Sequence, residues 1–240
     1  MRPLRICIVS QEFPPETGRG GIATQSALKA RGLSARGHSV QVLSMTYAKK
    51  PTMSNEGGYV VHRIPHPALP VPGHDPSSSW LAYSAAVAAK LNELTATQTF
   101  DIFQFPEYVG EGFVWQTDTF SHRIGKYVVQ MHGPLAMFSE HVNWPEKGCT
   151  AERIGCFMEQ SVIHNCDQLF ASSHNTAGFC SRRYGFDVDK VRVIHSGIDT
   201  DRFAPPGTDQ RLGQATHSLC GQAGHTQRIR GRGANRLVIT

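Results

Sequence analysis

Short apolar runs, each followed by a polar loop and then a stretch of helical period, recur along this chain and constrain its fold more than any other feature. Ile6 to Val9 is such a run, ending at Ser10 and the Pro-rich loop 11–21. A run that is apolar at every position is how a strand buried on both faces reads. Over 22–36, apolar or small residues recur at Ile22, Ala23, Ser26, Ala27, Ala30 and Leu33, and Gly37 offers a left-handed cap. Val40 to Leu43 is apolar again. Strand, helix and strand in that order predict a parallel pair joined by a right-handed crossover.

The alternation continues. It predicts strands over 59–64, 101–105, 127–131, 168–171 and 191–194, and helices over 80–94, 111–121, 152–164 and 175–184. Pro65, Pro67, Pro70, Pro72 and Pro76 predict an extended loop that stays out of the sheet. The expected fold class is therefore α/β, a Rossmann-like open parallel sheet with helices on both faces. Ligands of such sheets meet the C-terminal ends of the strands. There the chain carries Glu12 and Phe13, Glu107 and Tyr108, His132 and Gly133, Ser172 and Ser173, and Ser196 and Gly197.

Composition excludes several functions. The formal net charge of +5 invites a nucleic-acid or anionic-membrane partner, but Arg211, Arg228, Arg230, Arg232 and Arg236 against Asp209 place +4 of it beyond Gly207. The first 207 residues carry about +1, which gives no ground for a nucleic-acid partner. Six cysteines, Cys7, Cys149, Cys156, Cys166, Cys180 and Cys220, show no metal-ligand spacing and suit a reducing compartment. No run approaches the ~18 apolar residues of a membrane span. The apolar run after Arg2 and Arg5 is also far shorter than a signal-peptide core. A cytoplasmic protein is expected, with peripheral membrane contact only through its substrate.

One loop carries more. Phe13-Pro14-Pro15-Glu16-Thr17-Gly18-Arg19-Gly20-Gly21-Ile22-Ala23 resembles the loop after the first strand of glycosyltransferase family 4. Four further segments follow in that family's order. They are 101–108 with its Glu107-Tyr108 tip, 128–133 ending in His132-Gly133, Asn165 to Ser173, and Val193 to Pro205, which is similar to the family's interdomain segment. The resemblance covers roughly residues 4–206 and implies the N-terminal, acceptor-side half of a GT-B fold, here residues 1–207.

It also implies a retaining, metal-independent transfer of sugar from a nucleotide-diphosphate sugar to a hydroxyl of a saccharide or lipid-linked acceptor. No cofactor is implied; the nucleotide sugar is a co-substrate. Gly20 and Gly21 before a helix let backbone approach a diphosphate at a helix N-terminus, although the same pair can be an ordinary tight turn. Donor contacts are expected from Gly20, Gly21, Ser196 and Gly197, and the catalytic position from His132. Acceptor contacts are expected from Glu12, Phe13, Glu107 and Tyr108, since carboxylates accept hydrogen bonds from sugar hydroxyls. Gly18, Gly20 and Ala23 also satisfy G-x-G-x-x-A, so a dinucleotide-binding oxidoreductase domain stays open. It fits less well, because a long loop precedes the first glycine and the second strand ends without an acid.

Residues 208–240 are rich in Gly, Gln and Arg and lack hydrophobic period. They are expected to be disordered and foreign to the fold, as a reading-frame shift or truncation would leave them. One permitted choice of codons for 217–236, read one base later, encodes a strand and helix of the kind that opens a nucleotide-binding second domain. On that reading the chain is a remnant, catalytically dead alone.

Overall fold

The computed structural model describes residues 2–18, 20–67, 75–119 and 123–199. In chain order the elements are β1 (Arg5–Val9), α1 (Gly21–Ala35), β2 (Ser39–Thr46), β3 (Thr52–Asn55), β4 (Val60–Pro65) and α2 (Pro76–Thr97). Then come β5 (Ile102–Pro106), α3 (Phe113–Asp118), β6 (Lys126–Met131), α4 (Leu135–Val142), α5 (Thr150–His164), β7 (Gln168–Ala171), α6 (His174–Tyr184) and β8 (Val191–Val193). The strands form one sheet in the order β3-β4-β2-β1-β5-β6-β7-β8. Every pairing is parallel except that of β3 with β4. This is the expected α/β class.

Successive side chains of a strand point to opposite faces, so a sheet covered on both sides needs two cores. The first strand shows the division. Cys7 and Val9 join the larger cluster, with Leu43, Phe103, Phe105, Tyr127, Val129 and Leu91 of α2. Ile6 and Ile8 join the smaller one, with Ala30 of α1, Val40, Val42 and Val61. Phe103 is the hub of the larger core, its ring 5.2 Å from Phe100, 5.6 Å from Trp115 and 5.8 Å from Tyr127. Burying one such side chain contributes about 1.5–3 kcal/mol. Cys7, Cys156 and Cys180 are buried in this core as small apolar groups.

Four features differ from the expectation. β3 was not foreseen: its sequence Thr-Met-Ser-Asn is mostly exposed and pairs only at the sheet edge, so it carries no apolar period. α4 was also not foreseen, because eight residues give too few turns for a period to show. The helix expected over 111–121 begins only at Phe113, because Val109 (φ +49°) and Gly110 (φ +64°) turn the chain left-handed first. α2 starts four residues earlier than expected. Asp75 caps it by accepting the Ser77 amide at 2.9 Å, and Pro76 occupies the first helical position. The expected domain limit at 207, the tail 208–240 and Cys220 lie outside the described residues. Among those described, no helix is long and apolar enough to cross a membrane.

Candidate active site

The loop between β1 and α1 is held from behind. Arg63 of β4 is buried, and its Nη2 donates to the Pro14 carbonyl at 3.1 Å and to Glu56 Oε1 at 3.0 Å. Its Nη1 donates to Ser54 Oγ at 2.9 Å, and its Nε lies 3.4 Å from Glu16 Oε2. The Thr46 hydroxyl closes on Glu16, and the Thr17 hydroxyl accepts the Phe13 amide at 2.9 Å. A segment with two consecutive prolines, tied at three points, delivers the glycine pair to a fixed place.

That place is the wall of a cleft of about 650 Å³. The cleft runs along the C-terminal tips of β1, β5, β6 and β7 to the segment after β8, and beside the start of α1. Gly20 is the N-cap of α1, and among the described residues no side-chain cap hydrogen bond is made there. The first-turn amides carry the positive end of the helix dipole. A Cβ on Gly20 would lie 2.5 Å from Glu12 Oε2, whereas one on Gly21 would meet nothing within 4 Å. The glycine at 20 is what allows the Glu12 carboxylate to lie against the helix start.

His132 stands at the tip of β6, on a support built by Glu107. Glu107 is fully buried, and its Oε1 accepts the amides of His132 at 2.7 Å and Gly133 at 2.6 Å. Its Oε2 has no hydrogen-bond partner among the described residues. Burial, opposed by those two amides, pushes the carboxyl up to about 7. Lys29 of α1 reaches the same region and donates to Gln130 Oε1 at 2.7 Å. Burial pushes its ammonium down to about 7, with Glu107 pulling the other way. Burial and the Lys29 charge together push His132 down to about 3. The imidazole in the cleft is therefore neutral at ordinary pH, with one nitrogen as donor and the other as acceptor.

The β5 tip is pinned by a residue from another element. Glu159 of α5 is fully buried; it accepts the Val109 amide at 3.0 Å and the Leu135 amide at 2.8 Å, and takes the Tyr184 hydroxyl as well. One carboxyl thus fastens the left-handed turn after β5 and the start of α4 to the same helix. A Cβ on Gly110 would meet Met158 Cβ at 2.6 Å, so the turn packs against α5 without room for a side chain. Beyond it, Glu111 lines the cleft and accepts the Gln11 amide at 2.9 Å. Burial, opposed by that amide and assisted by Glu12 and Glu107, pushes Glu111 up to about 8. Across the cleft mouth Tyr108 meets Phe138 edge to face, at 5.8 Å between ring centroids. Among the described residues no group of three or more His, Cys, Asp or Glu could hold a metal ion.

The family profile described as Glycosyltransferase Family 4 matches residues 19–202, more than three quarters of the chain. The chain belongs to glycosyltransferase family 4. D-inositol 3-phosphate glycosyltransferase from Streptomyces scabiei is 40% identical over 47 residues, which are 20% of this chain and 10% of that protein. The enzyme of the same name from Salinispora arenicola is 35% identical over 57 residues, 24% of this chain and 13% of that one. The catalytic domain of starch synthase IV from Arabidopsis thaliana, bound to ADP and acarbose, is similar in fold with a TM-score of 0.59 at 14% identity. The likeness covers 87% of this chain and 54% of that one. Sucrose-phosphate synthase from Thermosynechococcus elongatus gives 0.59 at 14% identity, over 82% of this chain and 49% of that one. The family 4 chain thus spans about half the length of these solved structures, and its matched stretches are about a tenth of the curated relatives.

Within this family 4 chain the structure brings Glu12, Gly20, Gly21, Tyr108, His132 and Ser196 to one cleft. Gly197 sits beside it, its carbonyl accepting from Gln25 Nε2 at 3.3 Å. Two expected acceptor contacts are displaced. Phe13 is fully buried, edge to face with Tyr59 in the smaller core, and Glu107 is buried beneath His132, so neither reaches the cleft. Gln11, Thr24, Gln25, Glu111, Phe138 and Ser172 line the cleft without having been singled out as contacts. Ser172 stood among the strand-tip residues. Nothing local in the sequence distinguishes the others from ordinary loop and helix positions.

Proposed function

We propose that the described residues form one wall of the active cleft of a retaining, metal-independent glycosyltransferase. It moves a sugar from a nucleotide-diphosphate sugar to a hydroxyl of an acceptor. The observation that carries this reading is the meeting, in one cleft, of a helix N-terminus opened by Gly20 and Gly21 with a neutral imidazole at His132. A leaving diphosphate needs positive potential; first-turn amides and a helix dipole supply it without a side chain. His132 lies beside the sugar, where a neutral ring can accept from one hydroxyl and donate to another. Ser196 and Gly197 complete the donor side, and Glu12 and Tyr108 face the acceptor.

The solved neighbours support a nucleotide sugar and a saccharide. The starch synthase domain holds ADP and acarbose. A glycosyltransferase of Phytolacca americana, with a TM-score of 0.53, holds UDP-2-fluoro-glucose and pterostilbene. The names of the curated relatives add an inositol phosphate to the acceptors to be tried. The chain spans about half of each of these two solved chains.

The test is a titration of the chain with UDP-, ADP- and GDP-sugars followed by amide NMR. Shifts centred on Gly20, Gly21 and His132, lost in His132→Ala at the imidazole end only, are the expected result. A nucleotide sugar that shifts none of these amides overturns the reading. In a protein carrying both walls, retention of the anomer in the product and a rate unchanged by EDTA are expected.

A further inference from the structure

β7 and β8 leave the sheet side by side. Their parallel register sets Ala171 against Val193, and the Ile194 amide donates to the Ala171 carbonyl at 2.9 Å. Shortly beyond Ala171 stands His174, the first residue of α6, and shortly beyond Val193 stands His195. Two histidines far apart in sequence are thus brought together by strand pairing: their ring centroids lie 6.3 Å apart, with the ring planes at 67°. Among the described residues no other two imidazoles are in ring contact. The pair is also supported as metal ligands are. His195 Nδ1 lies 3.2 Å from the Ser172 carbonyl oxygen. A carbonyl only accepts, so Nδ1 carries the proton, and in the neutral ring Nε2 keeps its lone pair. A backbone carbonyl on the far ring nitrogen is the usual support behind a metal-bound histidine. His174 has no side-chain hydrogen bond among the described residues, so either of its nitrogens can bind.

Both rings line a hollow of about 460 Å³, shared with Asp189 and three valines. No described residue lining it is Lys or Arg, so a cation entering the hollow meets a carboxylate and no like charge in the wall. The ligands decide which cation. Imidazole suits copper, nickel and zinc, whereas magnesium and calcium take oxygen ligands. Two rings bound to one tetrahedral zinc through Zn–N bonds of about 2.0–2.1 Å have centroids roughly 5 Å apart, so this pair must close by about 1 Å. Both side chains are exposed, and a change of χ angles supplies that movement. The remaining positions on the ion fall to water, because among the described residues no group of three His, Cys, Asp or Glu could share it.

We infer that His174 and His195 form a two-histidine site for a late first-row divalent cation, copper, nickel or zinc, which fastens the start of α6 to the segment after β8. That segment goes on to Ser196 in the cleft wall, but neither imidazole lines the cleft. The ion therefore touches no reacting group, and the inference does not depend on the glycosyltransferase reading.

The experiment is a calorimetric titration of the unaltered, EDTA-treated chain with copper, nickel, zinc and magnesium chlorides, the imidazole resonances being followed by NMR for zinc. The expected result is a tightest site of one ion per chain, with copper held more tightly than nickel or zinc and magnesium not held at all. Zinc should move the ring signals of His174 and His195 together. His174→Ala and His195→Ala should each weaken copper binding at least roughly tenfold, since each removes one of two ligands. His141→Ala, which removes an exposed histidine of α4, should leave it unchanged. Copper binding that neither His174→Ala nor His195→Ala weakens overturns the inference. So does zinc that moves other histidine rings and leaves these two in place, a result read on the unaltered chain whatever the variants do.

Discussion

Glu107 holds the backbone of His132 from beneath the cleft. Its Oε1 collects the two successive amides at the β6 tip, and its Oε2 is unpartnered among the described residues. Glu107→Gln can keep the accepting oxygen and place its NH₂ where nothing is lost. Glu107→Ala strands two buried amides at a cost of about 1–3 kcal/mol each. Urea unfolding should therefore separate the two variants by at least ~2 kcal/mol, and amide shifts at His132 and Gly133 should follow the alanine variant only. A second expectation concerns charge on His132 itself. With its pKa near 3, its ring resonances should not titrate between pH 5 and 8. Lys29→Met, which removes a positive neighbour, should raise that pKa without bringing it to the usual 6.5, because burial is the larger cause. Glu12→Gln should tighten nucleotide diphosphate binding, since the carboxylate lies at the helix start where a diphosphate would sit.

At the scale of the element, legibility followed from how much of an element's sequence its own burial dictates. β1, α1 and β7 were readable because each buries a face or both, and the apolar pattern records it. β3 and α4 were not, one being a polar edge and the other barely two turns. Two site residues left a signal that was available. Phe103 and Phe105 are buried, so the same parity sends Glu107 inward; Glu159 sits with Cys156, Val162 and Ile163 on the buried stripe of α5. A charged residue on a buried face is the mark of a structural carboxyl. The turn after β5 gives a further test. Gly110→Ala adds a Cβ at a positive φ and against Met158. It should destabilise the chain by about 1–3 kcal/mol and disturb the Tyr108 and Glu111 resonances before those of Gly20. Phe103→Ala, by contrast, should cost about 3–5 kcal/mol and leave the relative shifts of the cleft unchanged, because it acts on the core shared by β5, β6 and α3.

For the whole molecule, buried ionisable groups set how stability depends on pH. Glu107, Glu111 and Glu159 all have folded-state pKa values raised, to about 7, 8 and 8. The native state then holds more protons than the unfolded chain from about pH 4.5 upward. The contribution of these groups is complete below pH 4.5 and is lost as pH rises through 7 to 8, at up to ~1.4 kcal/mol per unit for each group. His132 works in the opposite direction, its contribution being lost as pH falls from 6.5 toward 3. Denaturation midpoints measured from pH 5 to 8 should therefore decline, and Glu159→Gln should flatten the decline. A flat profile in the unaltered chain would show that water reaches these carboxyls.

Glu159 also ties the history of two distant stretches together. The turn after β5 supplies Tyr108 and Glu111 to the cleft, yet its hold on the molecule comes from a helix some fifty positions later. A designer who transplants that turn into another scaffold must move its anchor with it. Among relatives that have remodelled their acceptor pocket, substitutions in the turn and at the helix position should be inherited as a pair.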